Sequence, residues 1–133
     1  MTLFVDANIP MYVAGRPHPF KEPSTAFLRN VAERKVDAAS DVEVLQEILY
    51  RYHHLNEVKK GFQVFETFAR TIPVIYPVFL GDMLKAKELL HKHVDIRPRD
   101  ALHAALMLNR GLDTIVSYDL HFDQIPGIKR VEP

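Results

Sequence analysis

Residues 2–10 read TLFVDANIP, an apolar run that ends on an acid. Thr2 to Val5 have the composition of a strand packed on both faces. Asp6 then stands at its carboxyl end, followed by Asn8 and Pro10. A lone aspartate there is explained as a turn residue or as the cap of a following helix. Whether it is more than that depends on where the fold sends the other acids.

Working outward, strand-like runs recur at 2–6, 36–40 (VDAAS), 72–76 (IPVIY), 114–118 (TIVSY) and 129–132 (KRVE). Helical patterns lie between them. STAFLRNVAERK places Phe27, Leu28, Val31 and Ala32 at helical spacing. Ser40 and Glu43 have the spacing of a capping box ahead of VEVLQEILYRYHH. NEVKKGFQVFETFA carries Phe62, Phe65 and Phe68 as a stripe, which reads as core or as a surface covered by a partner. GDMLKAKELLHKH is expected to turn Met83, Leu84 and Leu90 inward. Pro98 suits a first helical position, and ALHAALMLNRG closes on Gly111. Short apolar strands alternating with helices predict an α/β fold: a small Rossmann-like three-layer sandwich with a mainly parallel sheet of four to five strands.

The bulk numbers fit that reading. The 133 residues suit one domain, 1–133, with one core. No apolar run approaches the roughly 20 residues of a membrane helix, and no secretory leader is read at the start. The absence of cysteine excludes disulfides, thiolate metal sites and cysteine nucleophiles, and fits a cytoplasmic protein. Lys plus Arg and Asp plus Glu both total 17, so no global charge draws the chain to nucleic acid. Polyanion binding would need a local basic patch or a bound metal.

Ligands of open parallel sheets bind beyond the carboxyl ends of the strands, where strand order reverses. Asp6 is at one such end and Asp119, in TIVSYDLHFD, at another. If these strands are neighbours, the two acids lie side by side. Glu47 is set among the apolar residues of VEVLQEILYRY, and Asp100 one turn into RPRDALHAALML. Taken singly, Asp100 would complement a helix dipole and Glu47 would pair with Arg51 one turn on. Taken together, four carboxylates in a half-buried cleft repel one another and raise each other's pKa. A divalent cation removes that penalty, and hard oxygen donors suit Mg²⁺ or Mn²⁺.

VDAN, LQEIL, RDALHAA and SYDLHFDQIPGI, in that order, resemble a PIN-domain ribonuclease, most closely the VapC-type toxins of toxin–antitoxin pairs. The resemblance implies an Mg²⁺- or Mn²⁺-dependent endoribonuclease with Asp6, Glu47, Asp100 and Asp119 as its acidic cluster. One metal would sit on Asp6, Asp100 and Asp119, with Glu47 reaching it directly or through water. It further implies an RNA substrate, a cognate antitoxin and a homodimer. Three positions depart from the family pattern. Ala7 stands where Ser or Thr is common, Ser117 replaces a Thr, and His121 stands where a second acid is often found. Asp123 reads as a loop residue.

Asn8 and Ser117 are expected to orient the carboxylates by hydrogen bonds. Arg97 and Arg99 flank Pro98 and are candidates for the phosphate backbone, although the plainer reading of Arg97 is a solvated loop residue. GRPHPFK (15–21) adds Arg16 and Lys21 to that group. His53, His54, His91 and His93 lack metal-binding spacing and read as surface. His103 shares the face of Asp100 and reads as a packed structural histidine. The competing functions are a magnesium-dependent phosphatase using an aspartyl nucleophile and a non-catalytic RNA-binding module. The first wants an acid two residues after Asp6, where Asn8 stands, and a lysine near the later acids.

Overall fold

Phe4, Val5, Ile115 and Val116 have almost no solvent contact, as expected of strands covered on both faces. In the computed structural model, which describes residues 1–133, they belong to one five-stranded sheet. The strands are β1 (Leu3–Val5), β2 (Ala38–Asp41), β3 (Val74–Tyr76), β4 (Thr114–Val116) and β5 (Lys129–Val131). Their order is β3-β2-β1-β4-β5, and every neighbouring pair is parallel. Six helices complete the α/β sandwich: α1 (Asn8–Ala14), α2 (Lys21–Ala32), α3 (Val42–His54), α4 (Val58–Thr71), α5 (Leu80–Lys92) and α6 (Pro98–Asn109). The chain builds outward from β1 through β2 to β3, then returns to the other side of β1 for β4 and β5. Strand order therefore reverses between β1 and β4. Val5 is in register with Val116, so Asp6 and Ser117 leave the sheet side by side.

Helix α6 is the centre of the packing. All eight residues from Asp100 to Met107 are buried, and a helix enclosed all round needs few large side chains. Ala101, Ala104 and Ala105 let it lie close to its neighbours. Pro98 opens it at a first-turn position, where its missing N–H is no loss.

Two local expectations are corrected and one helix is added. The residues NIPMYVA, assigned to no element from the sequence, form α1 directly after β1, with Pro10 tolerated in the first turn. The capping box at Ser40 and Glu43 does not form. β2 runs one residue further, and Asp41 caps α3 by accepting a bond from Val44 N–H at 2.9 Å. Ser40 instead donates to the Val5 carbonyl across the sheet at 2.9 Å. In α5, Met83 and Leu84 face solvent, while Asp82, Ala86 and Leu89 turn inward.

Asp82 is turned inward by Arg110, which follows α6. The guanidinium donates to both carboxylate oxygens, at 2.7 and 3.0 Å, and Asn109 adds a third bond at 3.0 Å. Bonding to Arg110 outweighs burial and holds the Asp82 carboxyl down to about 2. Of the phenylalanine stripe, Phe68 is buried, Phe65 half-buried and Phe62 exposed.

Two stability predictions follow from this packing. Asp82 has a folded pKa below its unfolded value of about 3.9, so its stabilisation is full above pH 4 and is lost as pH falls towards 2. Asp82→Asn should cost about 2 kcal/mol in urea unfolding at pH 7, and its deficit against the wild type should shrink across that window. Gly61→Ala should be destabilising, although alanine ordinarily favours a helix interior by about 1 kcal/mol. A Cβ on Gly61 would lie 2.6 Å from Tyr52 Cβ where α3 and α4 cross.

Candidate active site

The cleft at the switch point is built from the ends of β1 and β4 and from inward faces of α3 and α6. Asp6 is only 5% exposed. Its Oδ1 accepts a bond from Ala7 N–H at 2.8 Å, and its Oδ2 accepts from Ser117 Oγ at 2.6 Å and Asn8 Nδ2 at 3.1 Å. Asn8 Nδ2 also donates to Ser117 Oγ at 3.0 Å, and that oxygen accepts from Asp119 N–H at 3.0 Å. Asn8 and Ser117 thus lace the two strand ends together around Asp6.

Glu47 does not pair with Arg51. It turns inward, and its Oε1 accepts a bond from His103 Nε2 at 2.6 Å. His103 Nδ1 donates to Asp41 Oδ2 at 2.7 Å. Both ring nitrogens face carboxylate oxygens, so both carry hydrogens and the buried ring is a cation. Burial alone would lower its pKa, but Asp41 and Glu47 raise it well above the usual histidine range. Sequence spacing placed His103 on the face of Asp100. Its two carboxylate partners were not legible, because they lie on β2 and α3.

Asp100 and Asp119 are bridged by Arg97. Its Nε donates to Asp100 Oδ2 at 3.1 Å, and its Nη2 donates to Asp119 Oδ2. Arg97 is exposed and precedes α6, as a solvated loop arginine would be, but it is not free: two carboxylates hold it over the cleft. Arg99 Nε lies 3.5 Å from Glu47 Oε1 and 4.0 Å from Glu43 Oε1. His121, the departure from the family pattern, donates to Asp119 Oδ1 from its backbone N–H at 3.0 Å, and its Nδ1 lies 2.6 Å from the same oxygen. Asp123 points away, paired with Arg130 at 3.0 Å. Lys21 Nζ donates to the Gly15 carbonyl at 2.6 Å, which commits it to holding its own loop. Arg16 is exposed beside the cleft.

Asp6, Glu47, Asp100 and Asp119 line one cavity of about 580 Å³. Their oxygens fall into two clusters, Asp6 and Glu47 close to His103, and Asp100 and Asp119 close to His121. The His103 ring, bonded through both nitrogens, is available as a partner to the carboxylates rather than as a metal ligand. Burial pushes the Asp6 carboxyl up to about 6, against the attraction of His103 and with repulsion from Glu47 adding to it. Burial also raises Asp100, opposed by Arg97 and reinforced by Asp119. Asp119 falls below the usual range: burial would raise it, but bonds from His121 and the charge of Arg97 prevail. Around the cleft, five carboxylates (Asp6, Asp41, Glu47, Asp100, Asp119) stand against four cations, three paired with them (Arg97, Arg99, His103) and one unpaired (Arg51). Asp6 itself receives only neutral donors. An all-oxygen set with excess negative charge fits a hard divalent cation.

A reversal of strand order in a parallel sheet, with buried acids converging at that point, defines an α/β domain with a cation-ready cleft. A model of the PIN domain matches residues 3–128, and the chain belongs to that family. It is 33% identical over 129 residues to Ribonuclease VapC13 of Mycobacterium tuberculosis, spanning 97% of this chain and 98% of the relative. Ribonuclease VapC23 of the same organism is 32% identical over 117 residues, 88% and 92% of the two chains. Among solved structures, the fold superposes on M. tuberculosis VapC20, a Sarcin-Ricin loop cleaving toxin, with a TM-score of 0.80 at 17% identity over 98% and 99% of the two chains. It also superposes on VapBC2 of Rickettsia felis, bound to a promoter DNA fragment, with a TM-score of 0.78 at 20% identity over 99% and 98%.

The raised carboxyl of Asp6 sets a testable stability profile. Below about pH 4 it is protonated in both folded and unfolded chains and costs nothing. As pH rises through about 6, the unfolded chain ionises first and stability is lost. In the presence of chelator, Asp6→Asn should therefore be more stable than wild type by roughly 2 kcal/mol at pH 7.5. Thermal melts should show that gap closing towards pH 4, and closing at pH 7.5 when Mg²⁺ is added.

Proposed function

We propose that the protein is a divalent-metal-dependent endoribonuclease and the toxin of a toxin–antitoxin pair. The observation that carries this reading is the arrival of Asp6, Glu47, Asp100 and Asp119 at one cavity from four separate elements. Its relatives are named ribonucleases, and their likeness covers nearly the whole chain. Mg²⁺ or Mn²⁺ held by these acids supplies Lewis acidity, making an attacking water more acidic and offsetting charge on the phosphate.

The chain's own groups do the rest. Asp6 and Asp119 are catalytic residues that hold the metal from the strand ends, with Ser117 and Asn8 fixing the Asp6 oxygens. Glu47 is aimed by the imidazolium of His103, and Asp100 by Arg97. Arg97 and Arg99, close to both the acids and solvent, hold the phosphodiester against the acid cluster. Attack by water requires no 2′-hydroxyl, so preference for RNA arises in binding. The products carry a 5′ phosphate and a 3′ hydroxyl.

The partners follow from two other surfaces. An apolar groove of about 360 Å³, bordered by Pro10, Val13, Leu28, Val64 and Phe68, suits an antitoxin helix. A toxin–antitoxin complex from Klebsiella pneumoniae and VapBC-5 of M. tuberculosis, a member of the VapBC family of toxin–antitoxin systems, share the fold and support a protein partner. Phe79, Leu80, Met83 and Leu84 are exposed at helical spacing and form an apolar face suited to a second copy of the chain. No helix is long and apolar enough to cross a membrane.

The test is incubation of purified protein with RNA, with and without Mg²⁺ or Mn²⁺. Cleavage should require the metal and vanish in Asp6→Asn. Ser117→Ala, which removes one bond to Asp6, should lower the rate about ten- to a hundredfold. Cleavage indifferent to both metal and Asp6 sinks the mechanism, and a trapped phospho-aspartate would assign the site to phosphatase chemistry.

A further inference from the structure

Glu47 and Arg51 are one helical turn apart and would ordinarily neutralise each other. Glu47 is instead bound to His103 and approached by Arg99. Arg51 is left exposed at the mouth of the cleft, its guanidinium in no ion pair or hydrogen bond. It lines the acid cavity and also two further cavities, of about 410 and 320 Å³, that continue from it along α1. Met11 lines all three, and Arg16 lines the second and third. The 410 Å³ cavity contains Arg16, His18 and Arg51 and no acid. A groove of purely cationic and neutral lining, the 410 Å³ cavity, thus borders the acidic one, while Glu57 and Lys60 line the 320 Å³ cavity.

The loop that presents Arg16 is fixed in place. Lys21 Nζ is bonded to the Gly15 carbonyl, and Phe20 N–H donates to His18 Nδ1 at 3.1 Å. The Phe20 ring stacks on Tyr118 at 3.8 Å, and His18 packs on Tyr12 with ring centroids 4.8 Å apart. His18 itself is exposed, so its imidazole offers an outward face. By contrast, Arg97, Arg99, Arg110 and Arg130 all face carboxylates within 4.0 Å. Beside the cleft, Arg51 and Arg16 are the guanidiniums whose charge is unspent.

We propose that this groove is the subsite for the single-stranded RNA that flanks the scissile phosphate, which rests on the ribonuclease reading. Arg51 holds the phosphate next to the reacting one, Arg16 holds the phosphate beyond it, and His18 stacks on a base. A polyanion entering an acidic cleft is repelled by the acids, and its neighbouring phosphates need cations placed outside the cluster. The groove supplies them at the cavity wall. An acidic peptide would satisfy the same guanidiniums, but it would leave the aromatic face of His18 without a planar partner.

The experiment measures binding apart from cleavage, with Asp6→Asn as the parent and a fluorescein-labelled single-stranded RNA as the probe. In anisotropy titrations between about 0.05 and 0.2 M salt, Arg51→Ala and Arg16→Ala should each weaken binding roughly tenfold and reduce the salt slope by about 0.7. His18→Ala should weaken binding with the slope unchanged. Lys87→Ala, an exposed lysine of α5 that lines none of the three cavities, should bind like the parent. An Arg51→Ala, Arg16→Ala double variant that keeps the parent's affinity and slope overturns the subsite. So does an Arg51-dependent complex with poly-glutamate alongside Arg51-independent RNA binding, which would assign the groove to a protein partner. Wild-type cleavage of the same RNA with Mg²⁺ is scored separately. Its absence defeats the ribonuclease reading, and its presence with unchanged binding in the double variant defeats only the subsite.

Discussion

The imidazolium of His103, held between Asp41 and Glu47, is the contact on which the geometry of the cleft depends. It joins α6 to the end of β2 and to α3, the three elements that must be fixed relative to one another if Glu47 is to face Asp6. Asp41 works in two directions. One oxygen caps α3 at Val44 N–H and the other receives His103, so the start of the helix and the ring are tied to the same carboxylate. The alanines of α6 allow the close approach, and Phe4 from β1 packs its ring 5.6 Å from the imidazole. Ion pairs this deeply buried seldom add net stability over a packed apolar cluster, yet removing one member leaves a charge stranded. Such a contact is better understood as specifying a geometry than as strengthening a fold.

Much of this was legible in the sequence, for a definite reason. Strands covered on both faces must be short, continuous apolar runs, so their ends were visible and with them the places of Asp6 and Asp119. Glu47 and Asp100 stood out because each interrupts an otherwise apolar helix face. The illegible parts are those settled by partners remote in the chain. Met83 and Leu84 are more apolar than Asp82, and an inward face read from hydropathy alone chooses them; Arg110, 28 residues away, reverses the choice. Arg97 reads as a loop residue until Asp119, 22 residues away, is brought beside Asp100. The helix α1 was hidden by its own brevity and by Pro10.

Charge is distributed unevenly for a chain whose formal net charge is zero. Acids gather at the switch point, and arginines are drawn in after them: Arg97 and Arg99 from the segment that opens α6. The same attraction explains why Arg51 is free. Glu47 has one carboxylate, and once His103 and Arg99 claim it, the neighbour one turn on has nothing left to pair with.

Two buried aspartates of this chain make the physical case for the cleft most sharply. Asp82 is 2% exposed and Asp6 is 5% exposed, so desolvation penalises both. Asp82 is given a guanidinium in bidentate contact and its carboxyl is held at about 2. Asp6 is given a backbone N–H, a serine hydroxyl and an asparagine amide, all uncharged, and its carboxyl rises to about 6. The chain therefore has the means to neutralise a buried acid, as Arg110 does at Asp82 and His103 at Asp41, yet it hydrogen-bonds no cation to Asp6. At the strand end the hydrogen bonds orient the carboxylate without cancelling its charge, which leaves an oriented anion whose burial the attraction of His103 offsets only in part, so that a further positive charge would relieve it. A hard divalent cation meets that requirement, and a core packed for stability alone would have no reason to create it.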